Sequence, residues 1–295
     1  MNSSVECYGF RCNLAVKDIS IYNVDLPDSK ESRNKMFVDF FSHLQEKRIL
    51  ETTYNKRKYI IIYKEELRDI IHCQIARKRE VSINQFDNGV IIEKKEEDFP
   101  YVNIFIDLIG QKIIIEVNSS VFDNVDTCKK VLENIMRNYF RNLDVIVEIH
   151  PIIEKKQFRT CFEDCKIEKI SFEMNVPNWG NASSAAKELA EDSKNMGAEK
   201  IQYSLFNKEG NIIYKEDEMD SFVRYISDGA GSWQVNGKDK YGSKFSVKSE
   251  NQKKKLIMNM SRDRINSELD EIESAIIKDT FNKIETIERL KMKYE

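Results

Sequence analysis

The stretch NIFIDLIGQKIIIEVN, from Asn103 to Asn118, contains two apolar runs separated by a short step at Gly110–Gln111. Each run is long enough for one strand, and glycine beside a polar residue is typical of a tight turn. We therefore predict a β-hairpin. Its two acids, Asp107 and Glu116, raise the question of whether it holds a metal ion, since many nucleases place paired carboxylates on neighbouring strands.

Alternation along the second strand of this hairpin places Lys112, Glu116 and Asn118 on one face. A two-strand nuclease core commonly needs an acid on its second strand that is followed, one residue further on, by a lysine that positions or activates water. Asparagine stands in the place of that lysine here. We therefore interpret the acids as part of a solvated face, and keep a metal-dependent nuclease using Asp107 and Glu116 as an alternative.

The composition limits the class of protein. The chain has 295 residues, of which 41% are hydrophobic and 33% charged, so it can build a sizeable core. The net charge of −3 gives no global electrostatic argument for nucleic acid, although a local basic surface is compatible with it. Without a signal peptide or an apolar run of about 18 residues, we expect a cytoplasmic protein with no membrane segment. We expect the six cysteines to be reduced, mostly buried thiols.

The remaining periodicities alternate between strands and helices with short connections. They predict a mixed α+β fold with largely antiparallel sheets, packed helices and a long C-terminal helix. We divide the chain into an N-terminal α+β domain (1–176), a smaller α+β domain (177–260) and a C-terminal amphipathic helix (261–295). Pro177 ends the strand at the first boundary.

The C-terminal helix has a narrow apolar stripe flanked by charges, which is typical of a helix that contacts a partner or a second copy. A helix that lies on its own domain has the same pattern, so both interpretations stay open. The residues of this predicted oligomer seam are Ile265, Leu269, Ile272, Ile276, Ile284, Ile287 and Leu290.

A glycine-rich hairpin and the basic run after it are the best candidates for a binding surface. Aromatic side chains beside lysines can stack on bases and hold phosphates. The glycines lack the G-K-[ST] ending of a phosphate loop, and the cysteines and histidines lack zinc-site spacing, so we predict no cofactor and no metal. The candidate residues for nucleic-acid or partner binding are Trp233, Lys238, Lys240, Tyr241, Lys244, Lys253, Lys254, Lys255, Arg262 and Arg264.

The segment KIEKISFEMNVPNWGNASSAAKELAEDSKNMGAEKIQYSLFN has a strand that ends at Pro177-Asn178, followed by a helical pattern and, later, the glycine-bearing hairpin. Together with NIFIDLIGQKIIIEVN, this order of strand, helix and hairpin resembles that of an uncharacterised bacterial family associated with phage-defence loci. The resemblance implies a defence component. It implies no catalytic residue.

These observations favour a non-catalytic binding or assembly component of a bacterial anti-phage defence system. We expect it to recognise nucleic acid or a protein partner, and to assemble with that partner or with itself through the C-terminal helix. Besides the nuclease, a phage- or toxin-related interaction protein also fits the sequence. Whether the chain has catalytic activity is left open.

Overall fold

The computed structural model describes residues 4–16, 30–67, 69–87, 89–143, 145–153, 156–175, 189, 192–193, 196, 198, 200–226, 231–253, 255–267 and 269–289. The strands are β1 (Val5–Val16), β2 (Ile49–Tyr54), β3 (Arg57–Leu67), β4 (Ile70–Arg77), β5 (Arg79–Asp87), β6 (Val90–Asp98), β7 (Tyr101–Asp107), β8 (Lys112–Glu116), β9 (Val145–Pro151), β10 (Lys166–Asn175), β11 (Lys200–Phe206), β12 (Gly231–Lys238), β13 (Lys244–Lys248) and β14 (Lys255–Met258). The helices are α1 (Lys30–Lys47), α2 (Val125–Tyr139), α3 (Lys156–Thr160), α4 (Glu216–Tyr225), α5 (Arg262–Asn266) and α6 (Glu271–Arg289). This mixed, largely antiparallel architecture confirms the predicted fold class.

The predicted hairpin is β7–β8, in the middle of an eight-stranded antiparallel sheet. The strand order is β14-β1-β8-β7-β4-β3-β2, and β9 pairs with the remaining length of β1. Side chains alternate through this sheet: Ile104 and Ile115 pack into the core beneath α1 and α2, whereas Phe105 and Ile114 face the other way. Because both faces are apolar here, both must be covered.

The second face of this sheet is covered by the C-terminal segment, which is two helices and not the single helix predicted. Asp270 caps the second helix. Its Oδ1 accepts the N–H of Ile272 (2.8 Å), and its own N–H donates to Glu273 Oε2 (3.1 Å), as in a capping box. Ser261 is the N-cap of α5, where its side-chain oxygen accepts the N–H of Arg264. Ile265, Leu269 and Ile277 are buried against this face of the sheet.

The second sheet has four antiparallel strands in the order β11-β10-β12-β13. One face packs on α3 and α4, where Phe158, Phe172, Phe222 and Trp233 form the centre of a separate apolar cluster. Gly237 permits the close approach of β12 to β10, since a Cβ there would lie 2.3 Å from the carbonyl oxygen of Lys166. The opposite face carries no helix among the described residues.

Sheet membership does not follow the predicted domain boundary near Pro177. Strand β10 was assigned to the N-terminal domain, but it pairs with β11 and β12 in the second sheet. Strand β14 was assigned to the smaller domain, but it pairs with β1 in the first sheet. The chain therefore returns to its first sheet after it completes the second.

Strands β5 and β6 form a separate two-stranded hairpin, whose tip exposes Phe86 and Ile91. Among the described residues, every helix is too short or too polar to cross a membrane.

Candidate functional site

The two acids of the proposed nuclease pair lie at opposite ends of the β7–β8 hairpin. Asp107 pairs in register with Lys112, and Glu116 is four residues further along the strand, about 13 Å away at the usual rise. Ligand oxygens of one metal ion lie within about 2.6 Å of it, so these carboxylates cannot share an ion in this arrangement. Asp107 instead closes the hairpin turn, where its Oδ1 accepts the N–H groups of Ile109 (3.1 Å) and Gly110 (3.0 Å).

The prediction that Glu116 lies on a solvated face was wrong. Its face was assigned correctly, but α5 and α6 cover that face, and Glu116 is only 6% exposed. Glu116 Oε2 accepts hydrogen bonds from the backbone N–H and the side-chain amide of Asn103, both at 2.8 Å. Glu116 Oε1 lies 3.0 Å from Nε of Arg262, which reaches the sheet from α5.

Asn103 connects this ion pair to two further buried polar residues on β4. Its Oδ1 accepts a hydrogen bond from Gln74 Nε2 (3.1 Å) and lies 2.9 Å from His72 Nε2. Burial lowers the pKa of His72, although Asn103 and Glu65 act in the opposite direction. The ring is therefore neutral near pH 7 and donates from Nε2. We interpret these buried polar residues as the contact that holds α5 on the sheet, because most of their polar groups bond to one another.

The predicted binding residues of the glycine-rich hairpin separate into two groups. Trp233 was predicted to contact a ligand, but it is 2% exposed and lies in the core beneath the second sheet, so that prediction was wrong. Lys238 and Lys244 lie in register at the ends of β12 and β13. Lys240 and Tyr241 belong to the connecting turn, where Tyr241 is 81% exposed.

The basic run after this hairpin is largely neutralised within the chain. Lys253 pairs with Asp126, and Lys255 pairs with Glu6 at 2.6 Å. Arg264 pairs with Glu273, as Arg262 does with Glu116. Lys254 lies outside the described residues. Proximity in sequence therefore did not produce a concentrated positive surface, because most of these cations face carboxylates from other elements.

The strand register assembles a mostly polar surface on the uncovered side of the second sheet, and we call it the open face. Apart from a bulge in β10 between Ile167 and Lys169, side chains alternate along its strands, so that most apolar residues point to α3 and α4 and most polar residues point outwards. Its outward residues are Lys169, Ser171, Glu173, Lys200, Gln202, Ser204, Phe206, Ser232, Gln234, Asn236, Lys238, Lys244, Ser246 and Lys248.

Lysines dominate the charge of the open face. Lys200 contacts Glu173 (3.2 Å), and Lys238 contacts Glu168 (2.7 Å), a hydrogen bond that raises the pKa of Lys238. Lys244 lies close enough to Glu168 to help lower the pKa of that carboxylate, whereas Lys169 and Lys248 form no ion pair within the described part of the chain. The centre is uncharged and hydrogen-bonded across strands, for instance from Gln234 Nε2 to Ser246 Oγ at 3.0 Å.

Phe206 is the exposed aromatic residue on this face. It pairs in register with Lys169, and 71% of its surface is exposed. A large apolar ring beside an unpaired lysine on a flat polar sheet has no role in the packing of the core. Sequence reasoning missed both residues. The strict alternation in KISFEM and IQYSLF indicated which residues point outwards. It did not indicate which of them are neighbours, because that depends on how the strands pair.

Part of the predicted oligomer seam packs against the chain's own first sheet. Ile265 and Leu269 are buried and Ile276 packs beside them, all against the first sheet. Ile272 is 68% exposed. Ile284, Ile287 and Leu290 lie outside the residues whose side chains are described.

Five of the six cysteines are buried free thiols, and Cys165 is half-buried. Burial raises the pKa of Cys7 to about 12 and that of Cys161 to about 11, so these thiols are protonated at neutral pH. Across the described ranges, no group of three or more His, Cys, Asp or Glu side chains is arranged to hold a metal ion.

These features define an α+β protein with one sheet that packs against helices on both faces and one sheet whose polar face is open. Residues 93–278 match the family model of a domain of unknown function, DUF4747, and the chain belongs to that family. The matched region contains the β7–β8 hairpin, the Asn103–Glu116 contact and the whole second sheet. A comparison with curated proteins finds no match.

Proposed function

We propose that this protein binds single-stranded nucleic acid through the open face. The observation that carries the proposal is the row Phe206–Lys169–Asn236, which crosses three paired strands and places an exposed ring beside an unpaired lysine. Aromatic rings on a sheet stack with unpaired bases, while lysines neutralise the phosphates between them. A duplex keeps its bases stacked inside, so a flat face with an exposed ring suits a single strand better.

The distribution of charge supports the same proposal. The total charge of −3 gives no general attraction to a polyanion, but the open face has more lysines than carboxylates. Lys244 and Lys248 line one edge of the sheet, and Lys169 lies on the inner strand β10. A strand that crosses the face can therefore place successive phosphates near separate lysines, with serine, glutamine and asparagine between them as hydrogen-bonding partners for bases or sugars.

The direct test measures the binding of fluorescent polyuridine RNA and polythymidine DNA to the full chain by anisotropy over a range of salt concentrations. We expect affinity to fall as salt rises, because phosphate binding releases counterions. The double variant Lys169→Ala/Lys248→Ala should bind several-fold more weakly. Its salt dependence should also be shallower, by about 0.7 in logarithmic slope for each phosphate that the two lysines no longer neutralise.

A matched control is Lys130→Ala, which removes an exposed lysine from α2 on the first sheet. It should leave both affinity and salt dependence unchanged. The proposal fails if neither oligonucleotide binds at low salt. It also fails if Lys130→Ala weakens binding as much as the open-face variant.

A role in anti-phage defence belongs to this proposal as its biological setting, and it rests on the sequence resemblance alone. Assembly through the C-terminal helix is likewise proposed. It would use Ile272 and the chain after Lys283, because Ile265 and Leu269 are already buried against the first sheet. Asp107 and Glu116 do not support the nuclease alternative, because they lie at opposite ends of the hairpin.

A further inference from the structure

A cleft of about 650 Å³ lies at one end of the second sheet, between the loop that leads into β10 and the β12–β13 turn. Its volume is within the range of small-molecule sites, roughly 300–1,000 Å³. Lys238 belongs both to this cleft and to the open face. The cleft therefore continues the open face at the end where β12 turns into β13.

The cleft has aromatic groups on both of its sides. Phe162 comes from the loop and is fixed by ring contacts with Phe158 (5.4 Å) and Tyr214 (5.1 Å). Tyr241 comes from the turn and is mostly exposed. Its backbone is held by Asp239, whose Oδ1 accepts the N–H groups of Tyr241 and Ser243, both at 2.9 Å.

The charged groups of the cleft can bind a phosphate. Lys166 and Lys240 form no ion pair among the described residues, and Lys240 Nζ lies 5.2 Å from the centre of the Tyr241 ring, whereas Lys238 is held by Glu168. Asp239 Oδ1 accepts the amides of its own turn, while its negative charge helps raise the pKa of Cys165. Asp164 supplies a further acceptor, which suits the N–H donors on the edge of a base.

We propose that this cleft binds one nucleotide unit, with its base against Tyr241 and its phosphate near Lys166 and Lys240. The inference deepens the proposed function and rests on it: the unit is the end of a strand that lies on the open face. A free nucleoside monophosphate has the same chemistry and serves as the probe.

Cys165 lines the cleft and provides a built-in reporter, because the other five cysteines are buried. The experiment alkylates the full chain with iodoacetamide and follows modification of Cys165 by peptide mass spectrometry. Adenosine and guanosine monophosphate are added in separate arms, and inorganic phosphate in a third. We expect at least one nucleotide to slow alkylation several-fold, and inorganic phosphate to slow it much less.

Two variants separate the cleft from the open face. Tyr241→Ala should abolish protection by the nucleotide, since it removes the ring on which the base stacks. Phe206→Ala should leave that protection unchanged while it weakens polyuridine binding. Protection that persists in Tyr241→Ala, or that inorganic phosphate matches, overturns the cleft proposal, as does alkylation that neither nucleotide slows. Failure of polyuridine to bind overturns the proposed function instead, and that outcome is measured by anisotropy and not by alkylation.

Discussion

The carboxylate of Glu116 accepts two hydrogen bonds from Asn103 and faces the guanidinium of Arg262 on the face of the first sheet that α5 covers. Removing this carboxylate takes the acceptor from the buried backbone N–H of Asn103 and leaves its side-chain amide with a longer contact to Asn266 Oδ1 (3.4 Å). We expect Glu116→Ala to lower the free energy of unfolding by about 1–3 kcal/mol or more, because orphaned buried donors keep their desolvation cost. Urea unfolding of the purified variant measures this decrease.

Asp107→Ala is the matched control for this variant, since it removes the other acid of the same hairpin. Among the described residues, Asp107 accepts from the turn amides of Ile109 and Gly110, which water can reach after the substitution, so the decrease should stay at about 1 kcal/mol. The sequence alone placed both acids on a solvated face, an interpretation under which both decreases should be small. Equal effects for the two variants would contradict the role that we assign to Glu116.

His72 should make the stability of the protein depend on pH near neutrality. Burial lowers the pKa of its ring below the ordinary value of 6.5, so the unfolded chain binds the proton more readily than the folded one. Stability is therefore fully present above pH 6.5 and declines as pH falls from that value through the lower folded pKa. Urea unfolding at pH values on either side of 6.5 measures the decline.

The variant His72→Gln keeps a donor for Asn103 but cannot titrate, so its stability should change less across the same window. The lowered pKa of Glu148 affects stability only from about its ordinary value of 4.5 downwards, which separates the two contributions. A slope that His72→Gln leaves unchanged would show that another group is responsible.

Phe206→Ala should weaken binding of single-stranded nucleic acid by about 1–3 kcal/mol, the usual contribution of stacking on one base. Phe86→Ala is a closely matched control, since Phe86 is 74% exposed and Phe206 71%, and Phe86 lies on the separate β5–β6 hairpin. Anisotropy with polyuridine compares the two variants. Because both rings are exposed, neither variant should unfold the chain, and equal affinity in both would remove Phe206 from the binding surface.

Local pattern predicted much of the fold. The alternation around Gly110–Gln111 placed the β7–β8 hairpin and grouped Glu116 with the correct neighbours, since the direction of a side chain in a strand depends only on its position. It did not predict that this face is covered. That covering depends on α5, whose Arg262 and Asn266 reach the hairpin from far along the chain.

The candidate site was predictable only in part for the same reason. Lys238 and Lys244 were selected because they are close in sequence, and they do lie together on the open face. Trp233 was selected for its residue type, yet it shares the inward side of β12 with Val235, as alternation alone indicates. The pairing of Phe206 with Lys169 depends on strand register, which no short stretch of this sequence specifies.

The apolar stripe of the C-terminal segment should divide into core and surface positions. Ile265 is fully buried against the first sheet, so Ile265→Ala should cost about 2–5 kcal/mol in the free energy of unfolding. Ile272 is exposed, so Ile272→Ala should change stability by no more than about 0.5 kcal/mol.

Light scattering of the folded Ile272→Ala protein then tests assembly separately from stability. If the chain forms oligomers through this helix, the substitution should lower the average mass at a given concentration. An unchanged oligomer in that variant, and in a chain shortened after Lys283, would rule out the helix as the contact.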